Sequence, residues 1–196
     1  MIMDTLEQRI SAIQAREFEQ LGARVIHRGE DLGHFDVQAL VDRLSRVTER
    51  PALRYQAYLY HDQDPNAAAL ADGRIYLSSG MLNHLFSRGS REEELAFILG
   101  HELAHTAAQH LVKRARALQQ QQLIHTLVAA GAAAVTRSAG VGAQQAGQLA
   151  VDLNGILKEV ANSGYSQEQE LEADQLGIRY EIRAGVDPTA SLALLE

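Results

Sequence analysis

Between Asp36 and Val47, apolar side chains recur at Val37, Leu40, Val41, Leu44 and Val47, the three- and four-residue spacing of a helix with one buried face. Asp36 reads as its N-cap and Pro51 as its end. Residues 4–21 carry a thinner stripe, Leu6, Ile10, Ile13 and Leu21, on an otherwise polar helix, and a Gly-rich loop (GARVIHRGEDLGHF) joins the two. The period then shortens to two. Residues 54–60, RYQAYLY, alternate and are rich in tyrosine, as strands are. Residues 67–78, AAALADGRIYLS, read as two short strands about an Asp72-Gly73 hairpin turn. A short helix over 80–87 leads to the Arg88-Gly89 break.

Helical periodicity then returns. Ser90 and Glu93 match a capping box, which predicts a long helix running to about residue 118. Glutamines fill 119–122, and 123–135, LIHTLVAAGAAAV, is nearly all apolar. Crossing a bilayer takes roughly 20 apolar helical residues. This run is shorter and contains His125, so it predicts a buried helix, with a mobile flap or interfacial segment as the alternative. Residues 137–147 read as a loop and 148–160 as a helix. Ser166 with Gln169 is a second capping box, starting a helix to about 184. Asp187-Pro188 supplies the N-cap and first position of a last helix, which reaches Leu195-Glu196 without a stop signal. We therefore expect a C-terminal continuation.

Composition narrows the function. A chain of 196 residues, 46% hydrophobic, can bury one good-sized core. Its net charge of −7 gives no general attraction to nucleic acid, which is not an expected partner. There is no cysteine, so any metal must be held by His, Asp or Glu. The first fifteen residues are charged throughout and show no signal-peptide core.

The candidate chemistry lies in residues 99–110, LGHELAHTAAQH. His101 and His105 are four apart, roughly 40° from each other around a helix, so both imidazoles can reach one ion. Glu102 is offset by about 100° and is placed to reach a water held by that ion, the His-Glu-x-x-His arrangement of zinc peptidases. Two histidines and a glutamate inside an apolar helix (Leu95, Phe97, Ile98, Leu99, Leu103) are costly unless paired or metal-bound. His110 lies about 140° from His105 on a continuous helix and reads as a surface or packing residue. The longer zinc motif would need Gly at 108 and His at 111, where the chain has Ala108 and Leu111. A third ligand is sought in SQEQELEADQLG, residues 166–177. Glu170 and Asp174 share a helix face, with Glu172 turned roughly 200° from Glu170. Small Ala173 and Gly177 would let this helix approach the first closely. Glu170 then serves as third ligand and Asp174 as acceptor of a ligand histidine's second N–H. The plain alternative is an exposed acidic face.

The motif pair His101-Glu-Leu-Ala-His105 and Glu170-Leu-Glu-Ala-Asp174-Gln-Leu-Gly177 resembles metallopeptidase family forty-eight, the gluzincins that include HtpX, BepA and the CaaX prenyl endopeptidases. PNAAALADGRIYLSSGML, residues 65–82, and AGVDP, residues 184–188, are similar to the segments flanking those motifs in the family. The resemblance implies Zn2+ on His101, His105 and Glu170, Glu102 as general base, and Asp174 orienting a ligand. It implies a zinc endopeptidase acting on unfolded or misassembled polypeptide, closest in kind to soluble periplasmic BepA-like members, with a membrane-surface or outer-membrane protein association. A cytoplasmic location is the alternative, and the oligomeric state is left open. The fold expected is helix-dominated α+β: a zincin-like domain with a small three-stranded sheet packed on the His-Glu-x-x-His helix. One domain over 1–196 is expected, a helix and loop to residue 35 preceding the catalytic core. The substrate is expected to lie extended along Arg74, Ile75, Tyr76 and Leu77. One departure is noted: the family's later His-Pro segment and arginine are not found here. The oxyanion partner is then missing, lies beyond the chain, or is Tyr165, Tyr180 or His125. A chaperone-like binding module with a structural zinc is the alternative function.

Overall fold

Alternating residues do form strands, and a pair inside the Gly-rich loop adds one more. In chain order the elements are α1 (Thr5–Gln20), β1 (Arg24–Val25), α2 (Val37–Ser45), β2 (Gln56–Tyr60), β3 (Ala67–Ala69), β4 (Arg74–Ser78), α3 (Ser79–Ser87), α4 (Glu92–Ala107), α5 (His110–Thr136), α6 (Leu153–Ser163), α7 (Gln167–Arg183) and α8 (Thr189–Leu192). The computed structural model describes residues 5–136 and 152–192, without the side chains of 130–136. The loop expected over 137–147 and the chain end at Leu195-Glu196 lie outside the described residues. Two compact units divide the chain: residues up to Leu111 with those from Tyr165 onward, and Val112–Gly164.

In the first unit the sheet order is β1-β2-β4-β3. β1 runs antiparallel to β2, β2 parallel to β4, and β3 antiparallel to β4. The sheet therefore has four strands rather than the three expected. Gly73 closes the β3–β4 hairpin at φ +97, and a Cβ there would stand 2.9 Å from the Arg54 carbonyl oxygen. Period-two alternation sends Ile75 and Leu77 to one face and Tyr76 to the other. On the tyrosine face, Phe18 of α1 stacks on Tyr76 with centroids 3.9 Å apart and meets Tyr60 edge-on. On the aliphatic face, Leu95, Leu99 and Leu103 of α4 share one core with Val41 and Leu44 of α2, Ala57 and Ile75 of the sheet, and Ala173, Leu176 and Tyr180 of α7. Helix α4 is thus walled in by sheet and helices, which is why its sequence is apolar nearly all round.

Asp36 caps α2 through the Ala39 N–H, and Ser166 with Gln169 forms a complete capping box on α7. The box expected at Ser90 does not form. Arg91 is the N-cap of α4 without a side-chain bond, and the buried Ser90 Oγ has no partner among the described residues. The long helix expected through 118 is also broken. Gln109 adopts φ +57, between the end of α4 at Ala107 and the start of α5 at His110. A non-glycine residue there costs on the order of 1 kcal/mol. A buried cluster holds the bend: Gln109 Nε2 donates to Glu7 at 2.7 Å, Arg50 pairs with Glu7 at 2.8 Å, and Arg50 also reaches the Thr106 carbonyl.

In the second unit α5 continues to Thr136, and α6 follows, capped by Asp152. The apolar run expected to be a buried helix is helical but shows Leu123, Ile124, Leu127 and Val128 exposed. No helix among the described residues is long and apolar enough to cross a membrane.

Helices α4 and α7 meet backbone to backbone. A Cβ on Gly100 would stand 3.3 Å from Gly177 Cα, and one on Gly177 would stand 3.0 Å from the His101 nitrogen. Gly177→Val should therefore force the helices apart and lower stability by about 2 kcal/mol, read as a drop in Tm. A separate handle is Glu181, fully buried, whose Oε1 accepts from Ser191 Oγ at 2.8 Å while Oε2 has no partner among the described residues. Burial pushes its carboxyl up to about 7, against the pull of the Ser191 hydroxyl. A carboxyl held above its unfolded value binds its proton more tightly when folded, so its contribution is present in acid and lost as pH rises past the unfolded value to about 7. Denaturant titrations between pH 5 and 8 should show a fall on the order of 2–3 kcal/mol from this group, and Glu181→Gln should remove that slope.

Candidate metal centre

The four-residue spacing on α4 places His101 and His105 one turn apart with their Nε2 atoms 3.0 Å from each other. Each ring's other nitrogen is engaged. His101 Nδ1 lies 2.8 Å from Asp174 Oδ1, a carboxylate that can only accept, so His101 carries its proton on Nδ1. His105 Nδ1 lies 2.9 Å from His110 Nδ1, and His110 Nε2 lies 3.0 Å from Glu172 Oε2. With neutral rings, His110 donates from Nε2 to Glu172 and accepts at Nδ1 from His105 Nδ1–H, which leaves the 3.0 Å contact between the His105 and His101 Nε2 atoms without a proton. Both Nε2 lone pairs then converge on one point, an arrangement that repels itself unless a cation stands there. Burial, with His101 and His110 beside it, pushes the His105 imidazole down to about 3 and keeps it neutral.

Glu170 faces the same point from α7. Its carboxylate oxygens lie 3.4 Å from His101 Nε2 and 3.9 Å from His105 Nε2. Arms of about 2.1 Å around a tetrahedral ion put donors roughly 3.4 Å apart, and the three separations straddle that value. Among the described residues, His101, His105 and Glu170 form the one group arranged to hold a metal ion. Two imidazoles and a carboxylate, with no thiolate, suit a divalent cation.

Glu102 sits next to this point, on the side of the sheet edge. Desolvation pushes its carboxyl up to about 8; the Ala69 N–H it accepts opposes the shift, and the Glu170 charge adds to it. Tyr165 stacks on His105 with centroids 4.0 Å apart. Burial and the nearby Glu102 and Glu170 raise its hydroxyl, which stays protonated. Of the two oxyanion candidates in the first unit, Tyr165 is placed at this centre, while the Tyr180 hydroxyl donates to Glu49.

Two expectations change. The strand Arg74 to Leu77 cannot receive a substrate strand, because β4 is paired on both edges, by β2 and by β3. Its side chains are also engaged: Ile75, Tyr76 and Leu77 are buried, and Arg74 pairs with Asp72 at 2.6 Å. The edge strands are β3 and, at the other side, the two-residue β1. Leu70 N–H donates to Arg74 and Ser78 N–H to Asn66, so alternation turns the backbone groups of Ala67 and Ala69 outward. The outward Ala69 N–H is the one that Glu102 accepts. The second change is His110, which is fully buried and bonded to His105 rather than a surface or plain packing residue. Its 140° offset assumed an unbroken helix, and the turn at Gln109 cancels it. The adjacent Glu172 was likewise read as facing away. No glycine or proline marks the break, so the local sequence held no signal for either residue.

Comparison with known proteins agrees with this geometry. The chain is 33% identical to the Beta-barrel assembly-enhancing protease of Escherichia coli K12 over 144 residues, 72% of this chain and 28% of that protein. It is 31% identical to the protein of the same name from Yersinia pestis over 160 residues, 79% of this chain and 30% of that one. It is 27% identical to the mitochondrial metalloendopeptidase OMA1 of Schizosaccharomyces pombe over 165 residues, 82% of this chain and 42% of that one. The chain thus spans about three-tenths of the bacterial relatives' length. Residues 33–195 match Peptidase family M48. That match takes in both histidines, both flanking carboxylates and the sheet edge, and the chain belongs to this family of metallopeptidases.

Proposed function

We propose that the chain is a zinc-dependent endopeptidase hydrolysing peptide bonds of unfolded or misassembled proteins, with His101, His105 and Glu170 holding zinc and Glu102 as general base. The observation that carries this reading is the convergence of two imidazole lone pairs, 3.0 Å apart, in front of the Glu170 carboxylate. When bound, the ion supplies Lewis acidity toward the scissile carbonyl and acidifies water toward neutrality.

The protein's own groups do the rest. Glu102 takes a proton from the attacking water and delivers it to the leaving amine. Its raised affinity for a proton suits delivery to the amine, taking the proton needs the ionised form that a bound cation would favour, and the Ala69 N–H fixes its orientation. Asp174 keeps the His101 proton on Nδ1. The Tyr165 hydroxyl, near Glu102 and Glu170, is the donor available to a developing oxyanion. An extended substrate pairs with the outward N–H and C=O of Ala67 and with the Ala69 carbonyl, the Ala69 N–H being held by Glu102. Main-chain pairing reads little side-chain identity, which fits unfolded polypeptide as the substrate class. The relatives named for β-barrel assembly favour misassembled protein within that class. On the family resemblance we infer a periplasmic setting beside outer-membrane proteins.

Two experiments test this. Glu102→Gln should retain one equivalent of zinc, measured by elemental analysis, while cleavage of an unfolded casein substrate falls at least about 100-fold. Wild-type protein that holds zinc yet leaves casein intact would instead support a zinc-clamped binding module. Ala67→Pro removes an outward N–H that the ladder does not use. It should leave zinc content and Tm unchanged and raise KM for polypeptide roughly fivefold, about the worth of one hydrogen bond. An unchanged KM would remove β3 from the substrate site.

A further inference from the structure

Glu170, Glu172 and Asp174 alternate along α7, and only the first faces the point where the imidazoles meet. The other two stand behind the histidines. Asp174 contacts His101 directly at 2.8 Å. Glu172 reaches toward His105 but stops one ring short, and His110 fills the interval, 2.9 Å from His105 and 3.0 Å from Glu172. We propose that His110 and Glu172 are positioning residues: they form a carboxylate–imidazole relay that holds the proton of His105 on Nδ1 and so keeps its Nε2 free for the metal. This inference rests on the proposed metal site.

Proton counting supports it. Glu172 has only acceptors, so the shared hydrogen bond fixes the His110 proton on Nε2. In a neutral His110 ring Nδ1 is then an acceptor, and the proton that fills the 2.9 Å contact is on His105 Nδ1. Reverse the relay, and His110 would donate to His105 Nδ1, placing the His105 proton on Nε2 in the metal's position. The Glu172 carboxylate is therefore what sets the direction. The Tyr165 ring stacked on His105 holds the imidazole in plane but supplies no hydrogen bond to Nδ1.

Burial and backbone agree. The His110 side chain is 1% exposed, where an aliphatic residue would pack without needing two partners. The chain reaches this position through the left-handed turn at Gln109, pinned by Glu7 and Arg50. On an unbroken helix the ring would face elsewhere. The carboxylate end is half exposed, so Glu172 can be changed without opening the core.

The test uses the whole chain and compares His110→Phe with His110→Gln. Phenylalanine fills the space and accepts nothing; the glutamine carbonyl can still accept from His105 Nδ1–H. Zinc affinity is measured by competition with a chromophoric chelator, and the cobalt-loaded protein is followed by its visible absorption. The relay predicts that His110→Phe weakens zinc 10- to 100-fold and shifts the cobalt band, while His110→Gln restores both to near wild type. A packing role predicts the reverse order, with Phe the better substitute. Glu172→Gln, whose amide no longer fixes the direction, should weaken zinc three- to tenfold with Tm of the metal-free protein unchanged. His105→Ala keeps the two readings apart. If it binds zinc as wild type does, the metal site itself is wrong. If it loses zinc while both His110 variants and Glu172→Gln bind normally, the site stands and the relay is overturned.

Discussion

Everything at the metal centre depends on how closely α4 and α7 approach. At Gly100 and Gly177 the two backbones are in van der Waals contact, with no side chain between them. That closeness lets short carboxylates reach rings on the facing helix. An aspartate at 174 can touch His101 Nδ1 only because its Cα lies within a few ångströms of the α4 surface. The leucines at 95, 99 and 103 hold α4 against the sheet, and Ala173, Leu176 and Tyr180 extend the same core under α7. Packing thus sets the distance at which the polar groups must operate, and the polar groups are chosen for that distance.

The sheet contributes through order rather than through any one side chain. Placing β4 between β2 and β3 buries Ile75 and Leu77 against α4 and leaves β3 as an edge strand. The backbone of that edge meets Glu102 at Ala69. The same strand therefore orients the proposed base and offers main-chain groups to a substrate. Its alanines are small enough to keep the approach to Glu102 clear. On the other face, Phe18 and the tyrosines seal the sheet under α1, and α1 also supplies Glu7 to the bend at Gln109.

How much of this could be read from the sequence follows from how local each signal is. The His101–Glu102–His105 geometry needs only helical pitch, and the Glu170–Asp174 pair needs only a second helix with small residues to close on the first. Both capping at Ser166 and the Asp72-Gly73 turn depend on side chains within three residues. Strand order is different: nothing in RYQAYLY or ADGRIYLS tells which of two strands lies at an edge, so the expectation of a substrate along Arg74 to Leu77 could not foresee that both edges of β4 are paired. The bend at Gln109 depends on Glu7 and Arg50, which lie about one hundred and about sixty residues earlier in the chain, respectively. Without that bend, periodicity assigns His110 to the wrong face, and Glu172 loses its reason to turn inward. Ser90 matched a capping pattern and lost to Arg91, whose backbone begins the helix one residue later. Leu123 to Val128 read as core by composition alone, and exposure is a property of what surrounds them.

The charges around the centre complete the physical picture. Glu102, Glu170, Glu172 and Asp174 gather about three imidazoles, and burial already makes ionisation of Glu102 unfavourable beside Glu170. No lysine or arginine is paired with Glu170, Glu172 or Asp174 among the described contacts, and the two Nε2 atoms that face Glu170 lie 3.0 Å apart. His101, His105 and Glu170 would hold a divalent cation at this point, and its charge would offset Glu170 and favour the ionised form of Glu102. In the proposed site, groups that oppose one another without an ion would cooperate with one, and the α4–α7 packing holds them at that distance.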